Sequence, residues 1–207
     1  MKISNEAQKL IDYFSGEGGN QYTDRNKSSI EDGRSASDLI YNIVKMKKIK
    51  TICEIGCNTG HNLSRLKDLC DVVCGVDINK KALEEGKKLY PFVKFVEGSS
   101  FNLPLYENSF ELIFSRGVCI HLHPESILNA LNEMKRVSKK FIINIEYGVK
   151  DENNLNEEVE WRDNLKLWRV NMEKHWKQVS GIKVKDYFNV PLENDKEEMK
   201  ICVIEKK

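Results

Sequence analysis

From Lys50 onward the chain alternates short apolar runs with helix-patterned segments, and this alternation limits its architecture more than any other feature. KTICEI (50–55), VVCGVD (72–77), FVKFVEG (92–98), FELIFSRG (110–117) and FIINIEY (141–147) read as strands. Most are nearly continuous in Ile, Val, Phe and Cys, the pattern of strands covered on both faces. Between them His61–Leu69, Lys80–Tyr90 and Glu125–Ser138 read as helices. In the last, Ile127, Leu128, Leu131, Met134 and Val137 recur at helical spacing. Alternation of this kind builds parallel βαβ units, so the expected fold class is α/β, with a doubly wound, mostly parallel sheet. IKVKDYFNV (182–190) and EMKICVIEKK (198–207), separated by PLENDKE, add an antiparallel C-terminal pair and bring the sheet to seven strands.

The ends of the chain depart from that rhythm. Residues 4–14 and 34–48 read as helices joined by the glycine-rich polar segment SGEGGNQYTDRNKSS. Asp163–Val179 reads as an amphipathic helix with Leu165, Leu167, Trp168, Met172 and Trp176. We therefore expect one domain over 1–207, with an N-terminal helical cap or lid (1–48) on an α/β core (49–207). Helical spacing puts Trp161 and Trp168 on one face, as core rather than as a sugar-stacking platform.

Charge and cysteine usage narrow the function. With 33 basic and 32 acidic side chains the net charge is +1, whereas a general nucleic-acid binder carries a basic excess. No apolar run approaches the roughly 18–20 residues that span a bilayer. MKISNEAQKLIDYF has scattered charges and lacks a signal-peptide core, so a cytoplasmic location is expected. Six cysteines without a secretory signal fit a reducing compartment. Cys53 and Cys74 fall in strand runs, where free cysteine behaves as a small hydrophobe, and no metal site is expected.

The first strand runs into a glycine turn, TICEIGCNTG (51–60), followed by a helical pattern. In open α/β sheets this is where ligands bind. The loop has neither the G-x-G-x-x-G of a dinucleotide site nor the Gly-Lys-Ser/Thr of a phosphate loop. It reads E-x-G-x-N-x-G, with Glu54 beside the turn, Gly56 and Gly60 in it and Asn58 between them. An acidic residue there suits a cationic ligand, and Asp77 at the tip of the next strand can accept hydrogen bonds from both hydroxyls of a ribose. S-adenosylmethionine carries positive charge and a ribose, without phosphates.

Residues 50–147 resemble the class I S-adenosylmethionine-dependent methyltransferases, whose first motif runs [DE]-x-G-x-G-x-G; here Asn58 replaces the middle glycine. Over nearly the whole chain, YTDRN (22–26), EIGCNTGHNL (54–63), GVDIN (75–79), EGSS (97–100), FSRGVCIHLHPE (114–125), VSKKFIINIEY (137–147) and EVEWR (158–162) resemble the pseudaminic acid biosynthesis-associated methylase family, in which an asparagine in this loop is normal. The resemblance implies a Rossmann-like methyltransferase fold and a small methyltransferase linked to bacterial surface glycans. The acceptor would be a small molecule or a sugar precursor. The alternative is a non-catalytic S-adenosylmethionine-binding regulatory or partner subunit, whose binding motifs would look the same.

The candidate cofactor residues are Tyr22, Arg25, Asn26, Glu54, Gly56, Asn58, Gly60, Asp77, Ile78, Ser99, Arg116 and Gly117. Asn58 either tolerates a left-handed backbone or offers its amide to the methionine carboxylate. Ser99 stands where related enzymes place a polar residue against the adenine. Arg25 is a candidate clamp for the methionine carboxylate, in a segment read as a closing lid. His121 and His123 follow the fourth strand, where the acceptor enters, and at most one faces the site if the segment is extended. His121, nearer the strand end, is the candidate general base, with Glu146 as a second candidate catalytic group paired to Arg162 or to the acceptor. No Asn/Asp-Pro-Pro-Tyr/Phe signature follows the fourth strand, where the residues are Ser115-Arg116-Gly117-Val118.

Overall fold

The computed structural model describes residues 4–31, 36–160, 165–190 and 199–207. Its helices are α1 (Asn5–Ser15), α2 (Glu17–Glu31), α3 (Ser37–Lys47), α4 (Lys80–Leu89), α5 (Ile127–Val137) and α6 (Met172–Trp176). Its strands are β1 (Thr51–Ile55), β2 (Val72–Asp77), β3 (Lys94–Glu97), β4 (Phe110–Arg116), β5 (Ser138–Tyr147), β6 (Asn156–Glu160), β7 (Lys166–Val170), β8 (Ile182–Val190) and β9 (Met199–Lys206). Seven strands form one sheet in the order β3-β2-β1-β4-β5-β9-β8, and β6 and β7 form a separate hairpin. The first five strands run parallel, while β9 pairs antiparallel with both β5 and β8. This is the expected doubly wound sheet. The order reverses between β1 and β4, which opens a crevice at their carboxyl ends.

Side chains on successive strand positions face opposite layers. Cys53, Ile113, Ile142 and Cys202 face α5, where Ile127, Leu131 and Met134 are fully buried. Ile52, Leu112, Ile143 and Ile201 face the other layer, with Ile40 and Val44 of α3 and Leu83 of α4. The helix α3 thus covers the sheet as a core layer, whereas α1 and α2 pack against each other and α2 also contacts α4. No helix among the described residues is long and apolar enough to cross a membrane.

Three local expectations change. The segment read as a helix over His61–Leu69 holds a single 3-10 turn at His61–Leu63. Asn62 is the reason. Its side chain accepts from Ala36 N–H at 3.0 Å and donates to Glu54 at 2.6 Å, fixing the turn by side-chain bonds. The polar segment read as a joint between helices is itself α2. Its glycines permit close helix packing: a Cβ at Gly19 would stand 1.8 Å from the Phe14 carbonyl oxygen. The helix read over Asp163–Val179 is instead β7 followed by the short α6, because β7 pairs along its whole length with β6 and Asn171 caps the helix only at Met172. Trp161 and Arg162, the named partners of Trp168 and Glu146, lie outside the described residues.

One buried polar chain ties the α5 side of the sheet together. Trp176 Nε1 donates to Asn144 Oδ1 at 2.6 Å, Asn144 Nδ2 donates to Ser115 Oγ at 2.9 Å, and Ser115 Oγ donates to Glu146 Oε1 at 2.9 Å. Removing the middle member strands polar groups with no route to water. Asn144→Ala is expected to cost about 1–3 kcal/mol for the orphaned indole N–H alone, read as a lower urea midpoint. An unchanged midpoint would show that this chain does not hold α6 on the sheet.

Candidate functional site

The crevice at the strand ends is a cavity of about 310 Å³, within the size range of small-molecule sites. Its floor is the loop after β1. Gly56, Asn58 and Gly60 all have positive φ, at 70°, 49° and 78°. The left-handed turns point the N–H groups of Gly56 and Cys57 at the Val76 carbonyl, at 2.8 and 3.0 Å. A side chain at Gly56 would bring its Cβ within 2.4 Å of Val118 Cγ2, so bare backbone is required there. Gly60 packs on Phe95 and does not line the cavity.

Asp77 joins this loop to the next element. Its Oδ2 accepts from Asn58 N–H at 2.7 Å and its Oδ1 from Asn79 N–H at 2.8 Å. Burial raises its pKa from the usual carboxylate value, and the backbone bonds from Asn79, Asn58 and Ile78 oppose that rise. Asp77 and Ile78 both line the cavity. Asn79 then caps α4, accepting from Ala82 N–H at 2.9 Å, while its amide donates to the Phe14 carbonyl and to Asn20, each at 3.1 Å.

Glu54 sits beneath the loop and does not line the cavity. It is 1% exposed; Oε1 takes the bond from Asn62, and Oε2 meets no donor among the described residues. Burial drives its pKa up to about 8, against the pull of the Asn62 bond and of Arg116. At neutral pH it is therefore mostly protonated, and Asp77 is the carboxylate that faces the cavity.

The roof is helical. Tyr22 and Asn26, four residues apart on α2, share the face that lines the cavity. Arg25 does not line it; its guanidinium stands 5.9 Å from the Tyr22 ring centre. Arg116, at the tip of β4, lines the cavity and lies close enough to Tyr22 to lower the pKa of its hydroxyl, although burial raises that pKa overall. Ala7, Leu10, Ile11 and Phe14 of α1 add an apolar wall that the sequence reading did not assign. Their spacing (i, i+3, i+4, i+7) was the available signal. Ser99, whose Oγ accepts from Phe101 N–H at 3.3 Å, and Gly117, at φ 61° with open space around it, complete the lining on the strand side.

The loop after β4 carries both histidines, and both line the cavity. The segment is not extended throughout: Cys119–His121 is a 3-10 turn, so the alternation expected of a strand does not apply. His121 packs on Phe14, with ring centres 4.6 Å apart, and edge-on to Tyr22 at 5.7 Å. Burial pulls its pKa down to about 4, well below the ordinary value that suggested a base. His123 packs edge-on to Trp168 of β7 at 5.1 Å.

Glu146 stands behind this loop and does not line the cavity. It is fully buried, and its oxygens accept from Ser115 Oγ, Val118 N–H at 3.2 Å and Cys119 N–H at 3.0 Å. Burial raises its pKa, with those bonds opposing the rise. In this geometry it fixes the loop that presents His121.

A raised folded-state pKa means that Glu54 contributes stability below its unfolded value near 4.5, and that this contribution is lost as pH rises through about 8. The melting temperature should therefore fall between pH 5 and 9 more steeply in the wild type than in Glu54→Gln, which holds no titrating proton. Parallel curves for the two proteins would show that Glu54 is ionised in the fold at neutral pH.

Residues 52–140 match a family model described as a methyltransferase domain. No curated protein matches the chain. Among solved structures, magnesium protoporphyrin IX methyltransferase from Synechocystis, with bound S-adenosylhomocysteine, superposes with a TM-score of 0.73 at 13% identity, over 97% of this chain and 99% of that one. The 1,6-didemethyltoxoflavin-N1-methyltransferase of Burkholderia thailandensis, with 1,6-didemethyltoxoflavin and S-adenosylhomocysteine bound, gives 0.73 at 12% identity, over 100% and 92%. An S-adenosylmethionine-dependent methyltransferase from Methanosarcina mazei gives 0.61 at 15%, over 75% and 91%. Residues 52–140 thus resemble a methyltransferase domain, and the chain has the fold of these S-adenosylmethionine-dependent methyltransferases.

Proposed function

We propose that the protein binds S-adenosylmethionine in this crevice and transfers its methyl group to a small-molecule acceptor. The observation that carries the reading is the Asp77 carboxylate facing the cavity beside a left-handed glycine loop that lacks phosphate-binding character. Asp77 keeps acceptor capacity beyond that used by the Asn58, Asn79 and Ile78 N–H groups, and on the cavity side this suits a ribose hydroxyl. Arg116, with Tyr22 and Asn26 near it, is the cation placed to hold the amino-acid carboxylate, the role first given to Arg25. Ser99, Ser100 and Phe101 form the wall for the adenine, and the apolar face of α1 keeps water out.

The sulfonium of the bound cofactor supplies the transferable methyl group. The protein must hold the acceptor in line with it, and positioning alone can lower the barrier by several kcal/mol. His121, neutral at physiological pH, offers a nitrogen lone pair on the cavity wall as the acceptor loses its proton. Glu146 keeps that loop in place from behind. The small-molecule acceptors named for the Synechocystis and Burkholderia enzymes support a small acceptor. The motif resemblance to the pseudaminic acid-associated methylases supports a sugar precursor, and so a place in bacterial surface-glycan synthesis.

Calorimetry with S-adenosylhomocysteine tests the site. Asp77→Ala is expected to lose about 1.5–3 kcal/mol, or roughly tenfold to a hundredfold in affinity. Unchanged affinity in a folded variant would remove the ribose assignment, and an equally tight NADH complex would remove the ligand class. Incubation with S-adenosylmethionine and cell extract should accumulate S-adenosylhomocysteine; binding without accumulation would identify a non-catalytic binding subunit.

His121 has its own signature in the pH profile. Because the neutral form predominates above about 4, its limb in turnover should lie near that value and leave the rate flat through pH 6–7. His121→Ala should abolish the limb and lower turnover by about a hundredfold with cofactor affinity kept. A limb kept in His121→Ala and lost in His123→Ala would assign the proton transfer to the neighbouring histidine.

A further inference from the structure

The glycine loop contains one residue that glycine would suit better on backbone grounds. Asn58 adopts φ 49°, a left-handed conformation that costs a side-chain-bearing residue. Both ends of its side chain are engaged. Oδ1 accepts from Thr59 N–H at 2.8 Å, and Nδ2 donates to Thr23 Oγ1 at 3.1 Å. Thr23 lies on α2, 1% exposed, and its hydroxyl passes its own proton to the Gly19 carbonyl at 3.0 Å. The hydroxyl thus donates once and accepts once, with no route to solvent.

The other bonds that join α2 to the core are of a different kind. Asp24–Lys81 at 2.6 Å and Lys27–Glu85 at 3.1 Å lie on the surface, where such pairs add little and are screened by salt. Asn79 reaches Asn20 and the end of α1 from the far side. The Asn58–Thr23 bond is a buried tether between α2 and the glycine loop itself. Tyr22 precedes Thr23 and Asn26 follows it by three residues, so both depend on where this bond holds the helix.

We propose that Asn58 and Thr23 are positioning residues: their hydrogen bond fastens α2 to the glycine loop, so that the loop which receives the cofactor also sets Tyr22 and Asn26 over it. This rests on the cofactor reading given above. It accounts for an asparagine at a position where left-handed backbone favours glycine. The helix then acts as a latched cover whose release accompanies cofactor exchange.

Binding and release of S-adenosylhomocysteine, measured by calorimetry and stopped flow, test the latch. Thr23 does not line the cavity, so Thr23→Val removes the hydroxyl without touching the ligand. It should weaken affinity about threefold to tenfold, chiefly through faster release, and Thr23→Ser should restore it. Asn58→Gly should show a similar loss at an unchanged or higher melting temperature, since glycine relieves the left-handed backbone. The double variant should be no weaker than the weaker single, because both remove one bond. Wild-type affinity and release in Thr23→Val, with wild type binding tightly, would overturn the latch alone. Additive losses would overturn it too, by showing that Asn58 acts directly on the ligand. Wild-type protein that binds no S-adenosylhomocysteine would overturn the cofactor reading and the latch with it.

Discussion

The site depends on one carboxylate placed where three elements meet. Asp77 ends β2 and takes backbone N–H groups from Asn58 and Asn79. The first bond holds the glycine loop of β1 in its left-handed course; the second sets the turn that starts α4. Each is charge-assisted, and each lies in a region where burial makes an unmatched charge costly. A carboxylate in such a place is tolerated only with donors around it. The same donors leave it facing the cavity with lone pairs to spare.

From that point the roof follows. Asn79, once held by Asp77, turns its amide to the Phe14 carbonyl and to Asn20, drawing α1 and α2 across the strand ends. The apolar stripe of α1 then closes over the cavity, with His121 packed against Phe14. On the opposite side Glu146 gathers the N–H groups of Val118 and Cys119 and fixes the loop after β4. Two carboxylates, the half-buried Asp77 and the fully buried Glu146, one at each wall, thus organise the loops by accepting backbone bonds. A third, Glu54, lacks a second donor and is held protonated instead.

The sheet was legible because parallel strands buried on both faces must be apolar almost throughout, and five such runs are visible at once. The glycine loop and Asp77 were legible for the same reason, since their chemistry sits at fixed offsets from strand ends. What escaped was decided by contacts outside each segment's own pattern. The segment at Gly18 and Gly19 reads as a loop by composition, yet those glycines let α2 pack closely on the end of α1. The Leu and Trp pattern of Asp163–Val179 fits a helix, but pairing with β6 overrides it in β7. Glu146 read as a candidate catalytic group paired to Arg162 or to the acceptor because nothing in its own strand shows that Val118 and Cys119 bend back to it. Arg25 and Arg116 could not be ranked from the chain alone; only the face of α2 separates them.

The central claim is that the crevice is a cofactor site organised around Asp77. A crystal structure of the protein grown with S-adenosylhomocysteine tests it most directly. The account predicts the ribose hydroxyls on Asp77, the amino-acid carboxylate toward Arg116, Tyr22 and Asn26, and the sulfur facing the loop that carries His121. A ligand with its ribose away from Asp77, or a crevice that stays empty at saturating concentration, would contradict it.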